Sequence, residues 1–82
     1  MNLTIRNRAG LHHCAEATAA GVVAASLRAG RPVAVRDPDS PTWWAITRNG
    51  DNAIATALNP SLFNNAPPTW ANRLAAAAAR LI

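Results

Sequence analysis

The chain contains no lysine and no tyrosine, and it has one cysteine and four acidic residues. The single cysteine, Cys14, excludes a disulfide within the chain and is typical of a reducing compartment. The four acids are dispersed, so a paired-carboxylate mechanism or an oxygen-ligand metal site has little to draw on. A long apolar run and a signal-peptide pattern are also missing. We therefore expect a soluble, cytoplasmic protein that does not enter membranes.

Because lysine is absent, all eight basic residues are arginines, and the net charge is +4. Guanidinium groups are planar, always charged, and suited to bidentate contacts and to stacking on aromatic rings. The four glycines are isolated from one another, so no phosphate-binding loop is present. We expect no catalytic residue, no cofactor and no metal.

The length of 82 residues predicts a single compact domain over residues 1–82. A chain of this size buries only roughly 60% of the surface that its unfolded form exposes. Self-association is a common way to reinforce so small a core, so we expect a homodimer.

The hydrophobic pattern predicts six elements, with strands over residues 2–7, 32–36, 42–47 and 52–58 and helices over residues 11–29 and 70–81. Asn49-Gly50 between two β-rich runs is a strong hairpin signal. In the return strand, Ile54 and Leu58 alternate with alanine and threonine. The order β-α-β-β-β-α predicts an α+β sandwich, a mostly antiparallel sheet with two helices on one face.

Each predicted helix carries a stripe that we expect to pack on the sheet. In the first helix the stripe consists of small residues at four-residue spacing, Ala17, Gly21 and Ala25. In the second helix, which Thr69 can cap, the stripe is Trp70, Leu74, Ala77 and Leu81. Between the hairpin and this helix, Leu62 and Phe63 are expected to fill the core.

The chain has one reactive cluster, formed by His12, His13, Cys14 and Glu16. We expect it at the start of the first helix, where His12 and Glu16 would share a face. Neighbouring side chains on a helix do not face one another, so a Cys–His nucleophile is not assembled there. A capping or packing role is the interpretation that we favour for this cluster.

The segment Ile5-Arg6-Asn7-Arg8-Ala9-Gly10-Leu11-His12 resembles the end of strand one in HPr, the phosphocarrier family of the sugar phosphotransferase system. In that family a Gly-Leu-His sequence opens the first helix and the histidine carries a phosphoryl group, which would make His12 the acceptor. The family continues with an arginine two positions after the histidine and then a proline, whereas Cys14 and Ala15 stand at those positions here. Residues 31–82 match nothing in the family.

Adjacent tryptophans, Trp43 and Trp44, fall on one predicted strand. Consecutive side chains on a strand point to opposite faces, so one of the two belongs to the core and the other to the opposite face. Arg6, Arg36 and Arg48 each lie at or beside a strand end and could gather on that face. These five residues form our candidate partner-binding site, because tryptophan and arginine are enriched in binding hot spots.

Three functions follow from these features. The leading hypothesis is a non-enzymatic interaction protein that binds and blocks a macromolecular partner, in the manner of phage or mobile-element inhibitors such as anti-CRISPR proteins. Its partner would be a protein complex with an acidic or nucleic-acid-binding surface. The alternative is a basic nucleic-acid-binding module, and a further alternative is an HPr-like phosphocarrier that uses His12.

Overall fold

The computed structural model of the chain describes residues 1–58 and 66–82. These residues form β1 (Asn2–Asn7), β2 (Gly10–Ala15), α1 (Glu16–Arg28), β3 (Ala34–Arg36), β4 (Trp44–Asn49), β5 (Asn52–Ala57) and α2 (Thr69–Arg80). The strands make one sheet in the order β2-β1-β3-β4-β5, and every neighbouring pair is antiparallel. The predicted α+β class and the antiparallel sheet are therefore confirmed.

The element order differs from the prediction, because β2 occupies the segment where the first helix was expected to begin. Asn7 and Gly10 close a hairpin in which Gly10 adopts φ 120°, and the Asn7 Oδ1 accepts a 2.9 Å hydrogen bond from the Ala9 N–H. Histidine and cysteine have weak helix propensity, and in this segment pairing with β1 prevails. The helix begins only at Glu16, an acidic residue placed favourably at a helix N-terminus.

Both helices pack on the same face of the sheet. Leu3, Ile5, Val35, Trp44 and Ile46 contribute the core side chains of β1, β3 and β4. The helices contribute Val23, Leu27 and Leu74 together with several alanines. Burying a large aliphatic side chain is worth about 1.5–3 kcal/mol. One apolar layer between the sheet and the helices is therefore the main source of stability.

The predicted helix stripes are wrong in part. Ala17, Gly21 and Ala25 are exposed, and α1 instead buries a face centred on Val23. In α2, Leu74 is fully buried as expected, whereas Leu81 is 51% exposed. The buried alanines Ala71, Ala75 and Ala78 shift the packed face of α2 toward small side chains. The residue that caps α2 is Pro68 rather than Thr69, without a side-chain hydrogen bond.

The predicted β4–β5 hairpin is confirmed, with Gly50 at φ 64° in its turn. The return strand directs its small side chains toward the core and its larger ones outward, which is the reverse of what their hydrophobicity suggests. Ala55 and Ala57 are buried beneath α2, and Ile54 is 47% exposed. An alanine-rich helix lies close to the sheet, so the facing strand positions also take small side chains. Leu62 and Phe63 lie outside the described residues.

Candidate interaction surface on the open sheet face

The face of the sheet opposite the two helices, called the open face below, carries the exposed tryptophan of the adjacent pair. Trp44 is 5% exposed and belongs to the core, so alternation turns Trp43 to the open face. The Leu58 N–H donates a 3.0 Å hydrogen bond to the Trp43 carbonyl, which extends the β4–β5 ladder to this position. Trp43 directly precedes the first residue of β4, and its side chain is half-buried.

Two arginines from neighbouring strands meet the Trp43 ring. The Arg6 Cζ lies 4.8 Å from the ring centroid, and the Arg36 Cζ lies 5.0 Å from it. Arg6 is paired with Ala34 across β1 and β3, and Ala34 is paired with Ala45 across β3 and β4. These small side chains leave room for Arg6 to extend toward the indole. We call Arg6, Arg36 and Trp43 the arginine–tryptophan cluster.

The cluster covers part of the open face. Ala34 is 5% exposed and Thr4 is 2% exposed, although both lie on the face that carries no helix. The Thr4 Oγ1 is 3.1 Å from the Nδ1 of His13, its cross-strand partner. The Arg36 Nε is buried and has no hydrogen-bond acceptor among the described residues. The contact found for the Arg36 guanidinium is the one with the Trp43 indole.

No carboxylate neutralises the two guanidinium groups in the described ranges 1–58 and 66–82. The ion pair found there joins Glu16 to Arg73 and lies on the helices. The Asp37 Oδ1 accepts a 3.0 Å hydrogen bond from the Asp39 N–H inside the Asp37-Pro38-Asp39 turn. The arginine–tryptophan cluster therefore presents two unneutralised positive charges.

A cleft of about 510 Å³ opens beside the arginine–tryptophan cluster. Its walls include Val33, Ala34, Ala45 and Leu58, and they also include Arg6 and Arg8. The lining is mostly apolar, with Arg6 contributed by β1 and Arg8 by the turn that follows it. A volume of this size lies in the range of ordinary binding clefts.

Aliphatic side chains surround the cluster on the open face. Leu11 is 59% exposed, Ile54 47% and Leu58 42%. Pairing of Leu11 with Arg6 and of Ile54 with Thr47 places the first two on this face. Leu58 is there because it pairs with Trp43. These three were not among the residues predicted to bind. Leu58 could have been placed opposite Trp43 from the sequence, because the Asn-Gly turn fixes the β4–β5 register. Leu11 could not have been placed on this face, because it was expected on a helix.

Arg48 does not join the cluster, so the expected grouping of three arginines is wrong for this residue. It shares its alternation with the core residues Trp44 and Ile46, which places it on the opposite face from Trp43. It is exposed near the turn, where its Nε donates a 3.2 Å hydrogen bond to the Gly50 carbonyl.

The His12, His13, Cys14 and Glu16 cluster is divided by the fold. His12 and Cys14 share the helix-facing side of β2, whereas His13 pairs with Thr4 on the open face. The His12 Nε2 is 3.1 Å from the Asn7 Oδ1. The expected helix pair of His12 with Glu16 is absent, because His12 lies on a strand. In the HPr family the matching histidine begins a helix, so the local structure departs from that resemblance. The described residues contain no group of three potential metal ligands.

Glu16 instead joins the two helices through Arg73. The Arg73 Nε donates to Oε1 at 2.5 Å, and Nη2 donates to Oε2 at 2.9 Å. These hydrogen bonds lower the pKa of Glu16 and raise that of Arg73 from their ordinary values. A second contact between the helices runs from the Arg28 Nη1 to the Leu81 carbonyl at 3.0 Å.

No protein-family model, curated protein or solved structure significantly matches this chain. None of the helices in the described part of the chain is long and apolar enough to span a bilayer.

Proposed function

We propose that this chain is a non-catalytic binding protein that attaches to another protein through its open face and blocks the surface that it covers. The observation that supports this most is the arginine–tryptophan cluster. Two cationic side chains lie within 5.0 Å of one indole centroid, and no described carboxylate pairs with them. Because no described carboxylate pairs with these two arginines, a carboxylate of a partner protein can do so.

The chemistry of the cluster suits a protein hot spot. Tryptophan and arginine are enriched among residues whose truncation strongly weakens binding. Arg6 and Arg36 rest against Trp43 before any partner binds. Ordering a flexible side chain at an interface costs about 0.5–1.5 kcal/mol, so this contact lowers the cost for each arginine.

The surroundings of the cluster favour a protein partner over a nucleic acid. Leu11, Ile54 and Leu58 are exposed on the same face, and aliphatic side chains pack well against other aliphatic side chains. Phosphates and bases would satisfy the arginines and the indole but would leave these three without a matching surface. The proposed partner surface is therefore apolar at its centre and carries carboxylates that face Arg6 and Arg36.

Blocking is the second element of the proposal. The class of partner that we favour is a host macromolecular machine with an acidic surface. This chain would cover that surface as a phage or mobile-element inhibitor, in the manner of anti-CRISPR proteins. This part rests on analogy with other small binding proteins.

Affinity capture with a matched pair of variants tests the proposal. Immobilised wild type, Arg6→Glu and Arg48→Glu are each incubated with a nuclease-treated lysate of the host. Both variants reverse one exposed arginine near a strand end, but only Arg6 lies on the cluster. We expect one protein to be captured by wild type and by Arg48→Glu and to be lost from Arg6→Glu.

The alternative outcome is nucleic-acid binding. In this outcome, wild type would bind a labelled single-stranded oligonucleotide, and the affinity would fall steeply as the salt concentration rises. No protein would be retained after nuclease treatment. That result would replace the proposed function with the nucleic-acid module. Equal capture by the two variants would remove the cluster from the binding surface.

A further inference from the structure

Strand β5 lies at one edge of the sheet and pairs only with β4 among the described strands. The Asn49–Asn52 pair closes the hairpin, and the Leu58 N–H bonds to the Trp43 carbonyl, so even-numbered β5 residues bond to β4. In an antiparallel ladder the intervening residues direct their backbone groups the other way. The N–H and C=O groups of Ala53, Ala55 and Ala57 therefore point outward from the sheet edge.

This edge lacks the features that usually prevent strand addition. Such features are lysine or other charges, proline, and bulges. The strand reads Asn-Ala-Ile-Ala-Thr-Ala, which has no charge and no proline, and its pairing with β4 is regular throughout. The opposite edge, β2, reads Gly-Leu-His-His-Cys-Ala and carries two histidines.

Apolar side chains border the same edge on the open face. Ile54 belongs to β5 and Leu58 follows it, and they are 47% and 42% exposed. A strand added alongside β5 would cover part of both side chains. Backbone groups that have no partner among residues 1–58 and 66–82 thus coincide with exposed aliphatic side chains at one place.

We propose that a second copy of this chain pairs with β5 in antiparallel orientation, with the two-fold axis at Ala55. In this register Ala53 faces Ala57 of the second copy. The outward-pointing backbone groups of all of these alanines are therefore hydrogen-bonded to the second copy. Ile54 then lies beside Thr56 of the second copy. A slip by two residues would leave one of the alanines at the strand end without its partner.

The charge of the chain does not prevent a second copy from pairing with this edge. Each chain carries a net charge of +4, so two chains repel one another overall. Since β5 itself carries no charge, this repulsion acts from a distance and is screened by salt. The dimer is therefore expected to strengthen as ionic strength rises, whereas binding of an acidic partner through Arg6 and Arg36 would weaken. The two associations are thus separable in one titration.

Sedimentation of the full chain tests the dimer. We expect wild type to sediment at twice the 8.6 kDa of one chain, and Ile54→Lys and Thr56→Lys to sediment as folded monomers. The control is Thr47→Lys, which is exposed on the same face but lies on β4, away from the edge; it should remain dimeric. Far-ultraviolet circular dichroism verifies that each variant is folded.

Cross-linking tests the register. In a Cys14→Ser background, the double variant Ile54→Cys/Thr56→Cys should form a disulfide-linked dimer on oxidation, because directly opposed non-hydrogen-bonded residues lie at bridging distance. Ile54→Cys alone should not, since the two cysteines would be diagonal neighbours. A monomeric wild type at millimolar concentration would overturn the proposal. A dimer that both lysine variants leave intact would place the contact elsewhere. Neither result bears on the capture experiment with Arg6→Glu.

Discussion

The arginine–tryptophan cluster predicts that Arg36 and Trp43 are energetically coupled in the free energy of unfolding. The perturbation is a double-mutant cycle built from Arg36→Met, Trp43→Leu and the combined variant. Methionine keeps much of the apolar stem of arginine, and leucine keeps an apolar group at the ring position. The single changes alone do not isolate the contact, because Arg36→Met also removes a buried Nε that has no acceptor among the described residues. Such a group costs free energy.

The expected coupling follows from the burial of the two guanidinium groups. A cation near an aromatic face contributes about 0.5–1 kcal/mol when exposed and about 2 kcal/mol when desolvated. Arg36 is half-buried with a fully buried Nε, so we expect about 1–2 kcal/mol for its coupling to Trp43. Arg6 is exposed, so its coupling to Trp43 should be about 0.5–1 kcal/mol.

Urea unfolding followed by circular dichroism measures each free energy of unfolding at a fixed protein concentration. The control cycle pairs Arg48→Met with Trp43→Leu, because Arg48 lies on the other face and should show coupling below about 0.3 kcal/mol. If the Arg36 cycle gives no more coupling than this control, the two side chains do not interact and the cluster is not preorganised.

Three further substitutions test the fold. Replacing Gly21 by alanine should raise the free energy of unfolding by about 1 kcal/mol, because Gly21 is exposed within α1 and an added Cβ would meet nothing within 4 Å. The melting temperature should rise by about 4–8 °C, whereas Gly30→Ala, at φ 66°, should lower it. Glu16→Gln should destabilise the protein at neutral pH, because the folded-state pKa of Glu16 is lowered by Arg73. This contribution is fully present above the unfolded pKa of about 4.3 and is lost as pH falls through the lowered folded pKa. The difference between wild type and Glu16→Gln should therefore shrink in acid, and a difference that stays constant with pH would contradict the ion pair.

The features that were predictable from sequence are those that local chemistry determines. The Asn49-Gly50 turn and the flanking β-formers specify a hairpin that needs no distant contact. Alternation required Trp43 and Trp44 to lie on opposite faces, although it did not say which of them is buried. That choice depends on where the helices pack, which is a property of the whole fold.

The errors have a common physical origin in tertiary packing. Residues 11–15 precede an alanine-rich helix, and their strand character depends on pairing with β1, which a local pattern does not show. Ile54 faces outward because α2 packs its small side chains on the alanines of β5. Arg48 lies on the helix side of the sheet because it alternates in phase with Trp44 and Ile46 along β4. Arg6 and Arg36 reach the same indole because β3 lies beside β1, a consequence of the crossover through α1.

The most direct test of the proposed binding surface is the dissociation constant of the captured protein for Arg6→Glu and Arg48→Glu. Calorimetry at an ionic strength of about 0.15 M limits the effect of distant charges. We predict that Arg6→Glu weakens binding by at least about tenfold, or 1.4 kcal/mol, while Arg48→Glu changes it by less than about threefold. Equal losses for the two variants would show that net charge, rather than the arginine–tryptophan cluster, holds the partner.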